Sequence, residues 1–475
     1  MPCRVGNKAM KGMYRSMVRT IYCKEFFELP EGTHIEVEFR LNETYVYTSK
    51  GQLIIESIKE INQIDGPHEI NRYIRPDLLV IEGILSYFTG SLFTVYQLTS
   101  SEQQISDENQ TLFEEAPRAK IIVEGNDYSN DLDTLLFKLG KIEFKSLIIT
   151  LLDRWRKALY MVSESEVNTF HDEAILTHFH IFELLVGYYY EDFQKEAHEK
   201  TKEFLISFAS ETLNQRGSNL ENTVNTKFKL LKGILVSDEA SITTKINYFL
   251  KQYGILDDQT YALISRLVKI RNSIAHGRIT YKDKLIWPLP PFFNLTNESN
   301  VVIPQISIMT ARAIALHLGL NTWKEEWEVT HVSLPPSDEV LSQFIGEEKE
   351  HVEASSIELL NGEYKNITVI SIIQFFIENQ KRYSLLDLEN VLSKIIIEIT
   401  INEENCEQLF LASVLLCDSE DHEISCIAKR NVAITHKNDW YGYSNIKDVV
   451  RYFDYYGITV RWLYSWIQDE SHRRT

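Results

Sequence analysis

The chain has 475 residues, of which 44% are hydrophobic and 25% are charged, and its formal net charge is −19. The length favours two or three domains, and the composition is typical of a globular protein and excludes global disorder. The negative net charge excludes a protein that binds along a nucleic acid through the electrostatic attraction of its whole surface. Any nucleic-acid contact must therefore come from local basic patches.

The sequence contains no clear signal for membrane insertion, secretion or disulfide formation. No run of about 18 apolar residues indicates a membrane span, and the first twenty residues lack the apolar segment of a secretory signal. The five cysteines form no CxxC pair and are odd in number: Cys3, Cys23, Cys406, Cys417 and Cys426. We therefore expect a cytoplasmic protein with no disulfide framework, no metal and no cofactor.

The first part of the chain predicts a basic arm and a β-rich domain. In residues 1–24 six Lys and Arg side chains precede the first acid, Glu25, which favours a disordered arm. A transit peptide or a start codon assigned too early would give the same pattern.

Residues 25–130 predict strands, and we expect this domain to sense a trigger or select substrate. THIEVEFRL alternates polar and apolar residues, YVYTSKGQLIIES predicts a hairpin around Lys50-Gly51, and KIIVEG adds a strand. LLVIEGILSYF and SLFTVYQL are further apolar runs of this β-rich region, while SSEQQISDENQ (residues 100–110) predicts a polar loop.

From about Asp131 the apolar period changes from two to 3.6, which indicates helices. Residues 131–328 predict one helical domain, with a proline-rich loop at 287–300, and 345–475 predict a second, after a linker at 330–341. The β-branched run IIIEITI leaves helix and strand both open. The predicted class is α+β, with a β-rich N-terminal domain followed by two mainly α-helical bundles.

Each helical block contains one similar motif. RNSIAHG spans Arg271 to Gly277 and RNVAITH spans Arg430 to His436, and the Arg–Asn dipeptide occurs nowhere else in the chain. In both motifs a His follows the Asn by four or five residues. One such match is an ordinary coincidence, but two in one chain favour a shared chemistry.

These residue types suit metal-free RNA cleavage. A His can take the proton of the 2′-hydroxyl as base or protonate the leaving 5′-oxygen as acid near neutral pH. A permanently charged, bidentate Arg suits the extra negative charge of the transition state, and Asn can orient the His or a phosphate oxygen. Simple phosphate binding would use the same residue types. One motif supplies only one His, so two motifs facing each other would supply both acid and base.

RNSIAHG resembles the Arg–polar–x–His signature of the HEPN ribonuclease superfamily, and RNVAITH is similar to it. The resemblance implies small all-α bundles that dimerise, or pair within one chain, to form a composite metal-independent endoribonuclease site. It implies catalytic roles for Arg271, Asn272, His276, Arg430, Asn431 and His436. HFHIFELLVGYYYE resembles the early helix of this family, which implies that Glu183 supports Arg271.

The β-rich region ahead of a helical block is similar to the ApeA-type abortive-infection proteins. This likeness implies a role in antiviral defence, with a phage-derived trigger or an inhibitory partner. The RNA that would be cut is left open.

Local charge is compatible with phosphate binding at both motifs. No acid occurs between Gln259 and Lys282 or between Ser425 and Asn438. The candidate RNA-binding residues in these islands are Arg266, Lys269, Arg278, Lys429 and Lys437. The alternative is that basic residues near helix C-termini complement the helix dipole.

Other chemistry-bearing residues favour structural roles. His178 and His180 would point to different sides of a helix, so a shared metal is not expected. Cys417, His422 and Cys426 lack zinc spacing. The Tyr188–Tyr190 run and the aromatic C-terminus favour core or interface over base stacking. The alternative function is a non-catalytic helical interaction or regulatory scaffold.

Overall fold

The computed structural model describes residues 19–29, 32–61, 70–94, 98–106, 118–163, 170–235, 240–277, 299–346, 353–440 and 446–473. The strands are β1 Arg19–Glu28, β2 Ile35–Leu41, β3 Thr44–Ser49, β4 Gln52–Ile61, β5 Leu98–Ser106, β6 Lys120–Val123 and β7 Asn126–Asp127. They form one antiparallel sheet in the order β5-β1-β4-β3-β2-β6-β7.

Some helices lie between these strands in the sequence, and the others follow them. The first are α1 Ile70–Tyr73, α2 Arg75–Thr89, α3 Ser129–Leu139, α4 Ile142–Ser163, α5 His171–Tyr188 and α6 Tyr190–Ser207, which continues into a π-helical segment, Phe208–Thr212. Next come α7 Ser218–Leu235, α8 Ile242–Gln252, α9 Asp258–Ala275, α10 Ser299–Leu318, α11 Lys324–Val332 and α12 Asp338–Gly346. The last are α13 Ser356–Asn361, α14 Val369–Glu378, α15 Leu385–Glu398, α16 Cys406–Leu416, α17 His422–Asn438, α18 Ile446–Tyr455 and α19 Arg461–Arg473. The α+β class, with a β-rich N-terminal region followed by helices, is confirmed.

The predicted strands with a buried face are present. In β2 the apolar residues Ile35, Val37 and Phe39 are buried while the intervening side chains are not, as the alternation requires. The hairpin between β3 and β4 turns at Lys50 and Gly51, which both have positive φ (51° and 76°). Two such residues give a turn whose twist matches that of the flanking strands.

Two predictions for the β-rich region were wrong. The run LLVIEGILSYF lies in helix α2, which begins with a proline in its first turn and ends at Gly90 with φ 66°. Most of its second half is buried on every side, so no one-sided period marks it as a helix. Part of the predicted loop, Ser100–Ser106, lies in strand β5, whose side chains are largely exposed and which pairs with β1 through its backbone.

The chain divides into two compact units whose boundaries differ from the predicted ones. In its described residues the first unit runs from Arg19 to Leu185 and includes Met309–Lys324. The second comprises the described residues of 186–308 and 325–473. The predicted border at 130–131 therefore lies inside the first unit.

The predicted arm and linker also differ from the structure. Residues 19–24 of the predicted basic arm belong to β1, and residues 1–18 lie outside the described residues. The predicted linker at 330–341 contains the end of α11 and the start of α12. The proline-rich loop at 287–300 lies outside the described residues up to Ser299, where α10 begins.

Long-range contacts join the helices of the first unit to one another and to residues 321–322. The carboxylate of Asp131 on α3 accepts hydrogen bonds from the backbone N–H groups of Asn321 and Thr322 and from the Thr322 hydroxyl, at 2.6–2.8 Å. The indole N–H of Trp155 on α4 donates to the Ser86 carbonyl on α2 at 3.2 Å. These contacts join segments up to 191 residues apart, so local pattern does not reveal them.

Within the second unit, one apolar core gathers the helices that follow α11. Its buried members extend from Leu341 on α12 to Leu463 on α19 and include Ile424, Ala428 and Val432 on α17. The run IIIEITI forms the end of α15 up to Glu398, and the chain becomes extended at Ile399. Helix α17, which contains the second motif, is thus part of this core.

Candidate functional site

The first motif lies at the C-terminal end of α9. Asp257 caps the start of the helix: its carboxylate accepts the N–H of Thr260 at 2.8 Å and pairs with the imidazole of His331 on α11 at 2.7 Å. Burial alone would raise the pKa of Asp257, but these hydrogen bonds and the His331 charge lower it. Leu263, Leu267 and their apolar neighbours bury the inner face of the helix. The rotation of α9, and hence the direction of its last turn, is fixed by this packing.

Two of the three motif side chains in this last turn are exposed. Asn272 and His276 are exposed and Arg271 is half-buried. A guanidinium N–H of Arg271 donates to the Asn272 side-chain oxygen at 3.1 Å. The amide group of Asn272 is therefore oriented by the adjacent Arg, as a preorganised polar cluster requires.

His276 ends the helix. Its backbone N–H donates to the Asn272 carbonyl at 3.0 Å, and its φ of −95° leaves the helical region. Gly277 follows with φ 74°, a conformation that glycine adopts without steric cost. The Gly after the His thus has a structural explanation, because its left-handed φ ends the helix directly after His276, whose side chain is exposed.

The charges around the first motif come from side chains. Arg266 is half-buried and Lys269 is exposed on the same helix, whereas Arg278 lies outside the described residues. The C-terminal end of a helix carries partial negative charge, so the backbone there does not attract phosphate. An anion at this position would depend on the guanidinium and ammonium groups of the helix.

Glu183, predicted to support Arg271, is half-buried on α5. It belongs to the first unit and Arg271 to the second.

The second motif has a different environment. Asn431 is 2% exposed, and its side-chain NH₂ donates to the Ser413 hydroxyl on α16 at 3.2 Å. Arg430 and Lys437 are exposed. The Asn of this motif therefore faces the helical core, while the adjacent Arg faces away from it.

His436 packs against aromatic side chains of α19. Its ring meets the edge of Trp466 at a centroid distance of 5.1 Å, and Trp466 stacks on Trp462 at 5.7 Å. Lys429, two turns earlier on α17, places its ammonium 5.7 Å from the Trp462 ring. The start of α19 is held by Asp418, whose carboxylate accepts the N–H groups of its first two residues. Both His436 and Lys429 thus contribute to the packing of α17 on α19.

The two motif helices have different packing partners. α9 packs on α8, whereas α17 packs on α15 and α16. The core cluster that includes α17 draws its buried residues from 341 onward. Each motif is therefore positioned by its own set of neighbouring helices.

The remaining histidine and cysteine candidates occupy separate environments. His178 is buried, its Nδ1 lies 2.9 Å from the Thr310 hydroxyl, and burial lowers its pKa to about 3. His180 is exposed two residues away. Cys417 is buried, which raises the pKa of its thiol, whereas His422 and Cys426 are exposed. Among the described residues no group of three His, Cys, Asp or Glu side chains is arranged to hold a metal ion.

A groove of about 820 Å³ in the first unit contains no motif residue. Polar residues of its lining include His34, Glu36, Lys50 and Glu124. The Glu124 carboxylate already accepts the backbone N–H of His34 at 3.1 Å. This pairing lies at the end of the β2–β6 strand pair and does not point to a ligand.

Comparison with known proteins identifies no relative: no family model, curated protein or solved structure matches the chain. Within the part of the chain that the structure describes, no helix is long and apolar enough to cross a membrane.

Proposed function

We propose that the chain is a metal-independent endoribonuclease whose site is built on Arg271, Asn272 and His276. The observation that supports this proposal most directly is the exposure of Asn272 and His276 in the last turn of α9, beside a half-buried Arg271 that orients Asn272. A solvent-exposed imidazole and a guanidinium at the same helix end are two of the groups that RNA transesterification uses.

In the proposed reaction one His removes the proton of the ribose 2′-hydroxyl and the resulting oxyanion attacks the adjacent phosphorus. A second His protonates the departing 5′-oxygen, so that the products carry a 2′,3′-cyclic phosphate and a free 5′-hydroxyl. Arg271 stabilises the negative charge that accumulates on the phosphoryl oxygens. Arg266 and Lys269 hold the flanking phosphates, which carry no sequence information themselves.

The first motif supplies one of the two histidines. We assign the second to His276 of another copy of the chain, because the second motif is engaged in packing. Asn431 donates into the core and His436 lies against Trp466. The site is then two-fold symmetric, with two Arg side chains around one phosphate.

We propose, from the likeness of a β-rich region ahead of a helical block to abortive-infection proteins, that this activity serves antiviral defence in the cytoplasm. The seven-stranded sheet domain would receive the trigger. A nuclease of this kind needs restraint, and the net charge of −19 disfavours indiscriminate RNA binding.

A scaffold function is the second candidate, and the environment of the second motif favours it for residues 341–463. There Asn431 bonds to Ser413 within the packed helices and His436 packs on Trp466, as expected if that motif serves folding. On this alternative neither motif cuts RNA.

The test is cleavage of single-stranded RNA by the purified full chain in EDTA. We expect 2′,3′-cyclic phosphate ends, no cleavage of a substrate with 2′-deoxyribose at every position, and a loss of about 10²–10⁴-fold in His276→Ala. Undiminished cleavage by His276→Ala would overturn the proposal. So would the absence of cleavage by wild type with every RNA class, in the presence and absence of candidate triggers.

A further inference from the structure

The segment from Tyr190 to Leu235 forms a helical hairpin with a very small core of its own. Helix α6, the π-helical segment and α7 pack together, and the fully buried apolar residues between them are Leu205, Ala209 and Val224. Partly buried side chains support this cluster: Leu220, Phe228 and Leu231. So small a core leaves much of the apolar surface of the hairpin uncovered.

One side of this α6–α7 hairpin exposes large apolar residues. Phe204 is 63% exposed and Phe208 is 43% exposed, and their rings stack on each other with centroids 6.1 Å apart. Leu230 on α7 is 61% exposed. Monomeric proteins expose single apolar residues routinely, but a stacked pair of exposed phenylalanines and a further exposed leucine on one hairpin mark an interaction surface.

Helix geometry places these three side chains on the same side of the hairpin. The residue that follows each of them faces the core of the hairpin. Leu205 follows Phe204, Ala209 follows Phe208 and Leu231 follows Leu230. One residue is about 100° of rotation. Each exposed side chain is therefore rotated by about 100° from the side of its helix that faces the other helix. In two antiparallel right-handed helices, rotations of this size and sense point to the same flank of the pair. Ile206, 47% exposed, lies about 200° from both phenylalanines and therefore on the opposite flank of α6.

The two helices of the hairpin have opposite charge. α6 contains five acidic and three basic residues, whereas α7 contains one acidic and three basic residues. Two copies of the hairpin related by a two-fold axis parallel to the helices would place α6 of each beside α7 of the other. The apolar flanks would then be buried against each other, and the helices that meet would be complementary in charge.

We propose that this flank, formed by Phe204, Phe208 and Leu230, is the surface through which a second copy of the chain binds to form an antiparallel four-helix bundle. The surface is connected to the proposed site through α8. The hydroxyl of Tyr248 and the side-chain amide of Gln252 donate to Glu196 on α6 at 2.9 and 3.2 Å, and α8 packs on α9. The inference deepens the proposed function, on which its catalytic consequence rests, because it names the contact that would bring two α9 motifs into one assembly.

The experiment measures the mass of the full chain by sedimentation equilibrium over a hundredfold range of concentration. We expect wild type to dimerise and the double variant Phe204→Glu, Phe208→Glu to raise the dimer dissociation constant at least about 100-fold, as for apolar anchors at the centre of an interface. Leu230→Glu should weaken it in the same direction. Ile206→Glu is the matched control, with the same new charge on the opposite flank, and should leave the constant within about threefold.

Circular dichroism identifies variants that have not folded, and Leu230→Glu on the other helix provides an independent test. A wild-type chain that is monomeric at every concentration overturns the inference, as does a double variant that dimerises like wild type. RNA cleavage is recorded separately. Dimers that respond to these substitutions but never cut RNA would refute the proposed function and leave the interface standing. Cleavage by a chain that is monomeric throughout would refute the interface and the assignment of the second histidine to another copy, and would leave the RNA-cleaving activity itself standing.

Discussion

Two segments of similar sequence have opposite relations to the core. In the α9 motif Asn272 and His276 are exposed, and in the α17 motif Asn431 is buried against Ser413 and His436 lies against Trp466. The α9 helix stops at its His, because Gly277 turns the chain, whereas α17 continues past its His to Asn438. The difference shows that an Arg–Asn–His pattern indicates only which chemistry is possible. The rotation of the helix about its axis, which the core packing fixes, decides which of these side chains are exposed to solvent.

The largest expected contrast is in RNA cleavage. If only the α9 motif is catalytic, His276→Ala should lose about 10²–10⁴-fold in rate, whereas His436→Ala should lose less than about tenfold. The measurement is initial rate on one fluorescent RNA in EDTA, with equal folded fractions verified by circular dichroism. Equal losses in the two variants would break the contrast and restore a site shared between the two motifs of one chain.

A smaller contrast concerns stability. Asn431→Ala leaves the buried Ser413 hydroxyl without its partner, and we expect the free energy of unfolding to fall by about 1–3 kcal/mol. Asn272→Ala removes an exposed side chain and should change it by no more than about 0.5 kcal/mol. Urea unfolding followed by tryptophan fluorescence gives both values. If Asn272→Ala proved the more destabilising, the assignment of buried and exposed motifs would be reversed.

A further contrast, in the pH dependence of stability, concerns His178, a histidine that is buried in the first unit. The pKa of His178 is lowered to about 3 in the folded chain, against about 6.5 when unfolded. Between these values only the unfolded state binds the proton. The stabilisation is therefore complete above pH 6.5 and decreases as the pH falls, by up to about 1.4 kcal/mol per pH unit.

His178→Gln should flatten the dependence of the unfolding free energy on pH between 4 and 6.5 by that amount, while Asn272→Ala should keep the wild-type slope. Urea unfolding at several pH values provides the measurement. An unchanged slope in His178→Gln would show that His178 takes up a proton in the folded chain as readily as in the unfolded one.

Local pattern predicted the elements that have one buried and one exposed face. β2 alternates because its apolar side chains all point to one side, and the amphipathic runs near Leu263 and Ile424 form helices α9 and α17. The pattern failed where both faces share one environment. The second half of α2 is buried nearly all round, so its pattern predicts part of a β-rich region, and β5 is exposed nearly all round, so its pattern predicts a loop.

The start and end signals of α2 were nonetheless present in the sequence. Pro76 in the first turn and Gly90 after the last are typical of helix boundaries and would have identified it. The exposed Phe204 and Phe208 have a comparable signal, since two aromatic residues four apart in a polar helix need a partner surface.

The sequence by itself determined the α+β order of the chain, the type of its one-sided elements and the presence of two Arg–Asn–His motifs, because these depend on local spacing and composition. Only the tertiary structure decided the unit boundaries, the burial of Asn431 and the surface position of His276. Those depend on which face of each helix meets the core and on contacts such as that of Asp131 with Thr322, which join distant residues. A short motif does not contain that information, since the same residues fit a helix in any rotation about its axis.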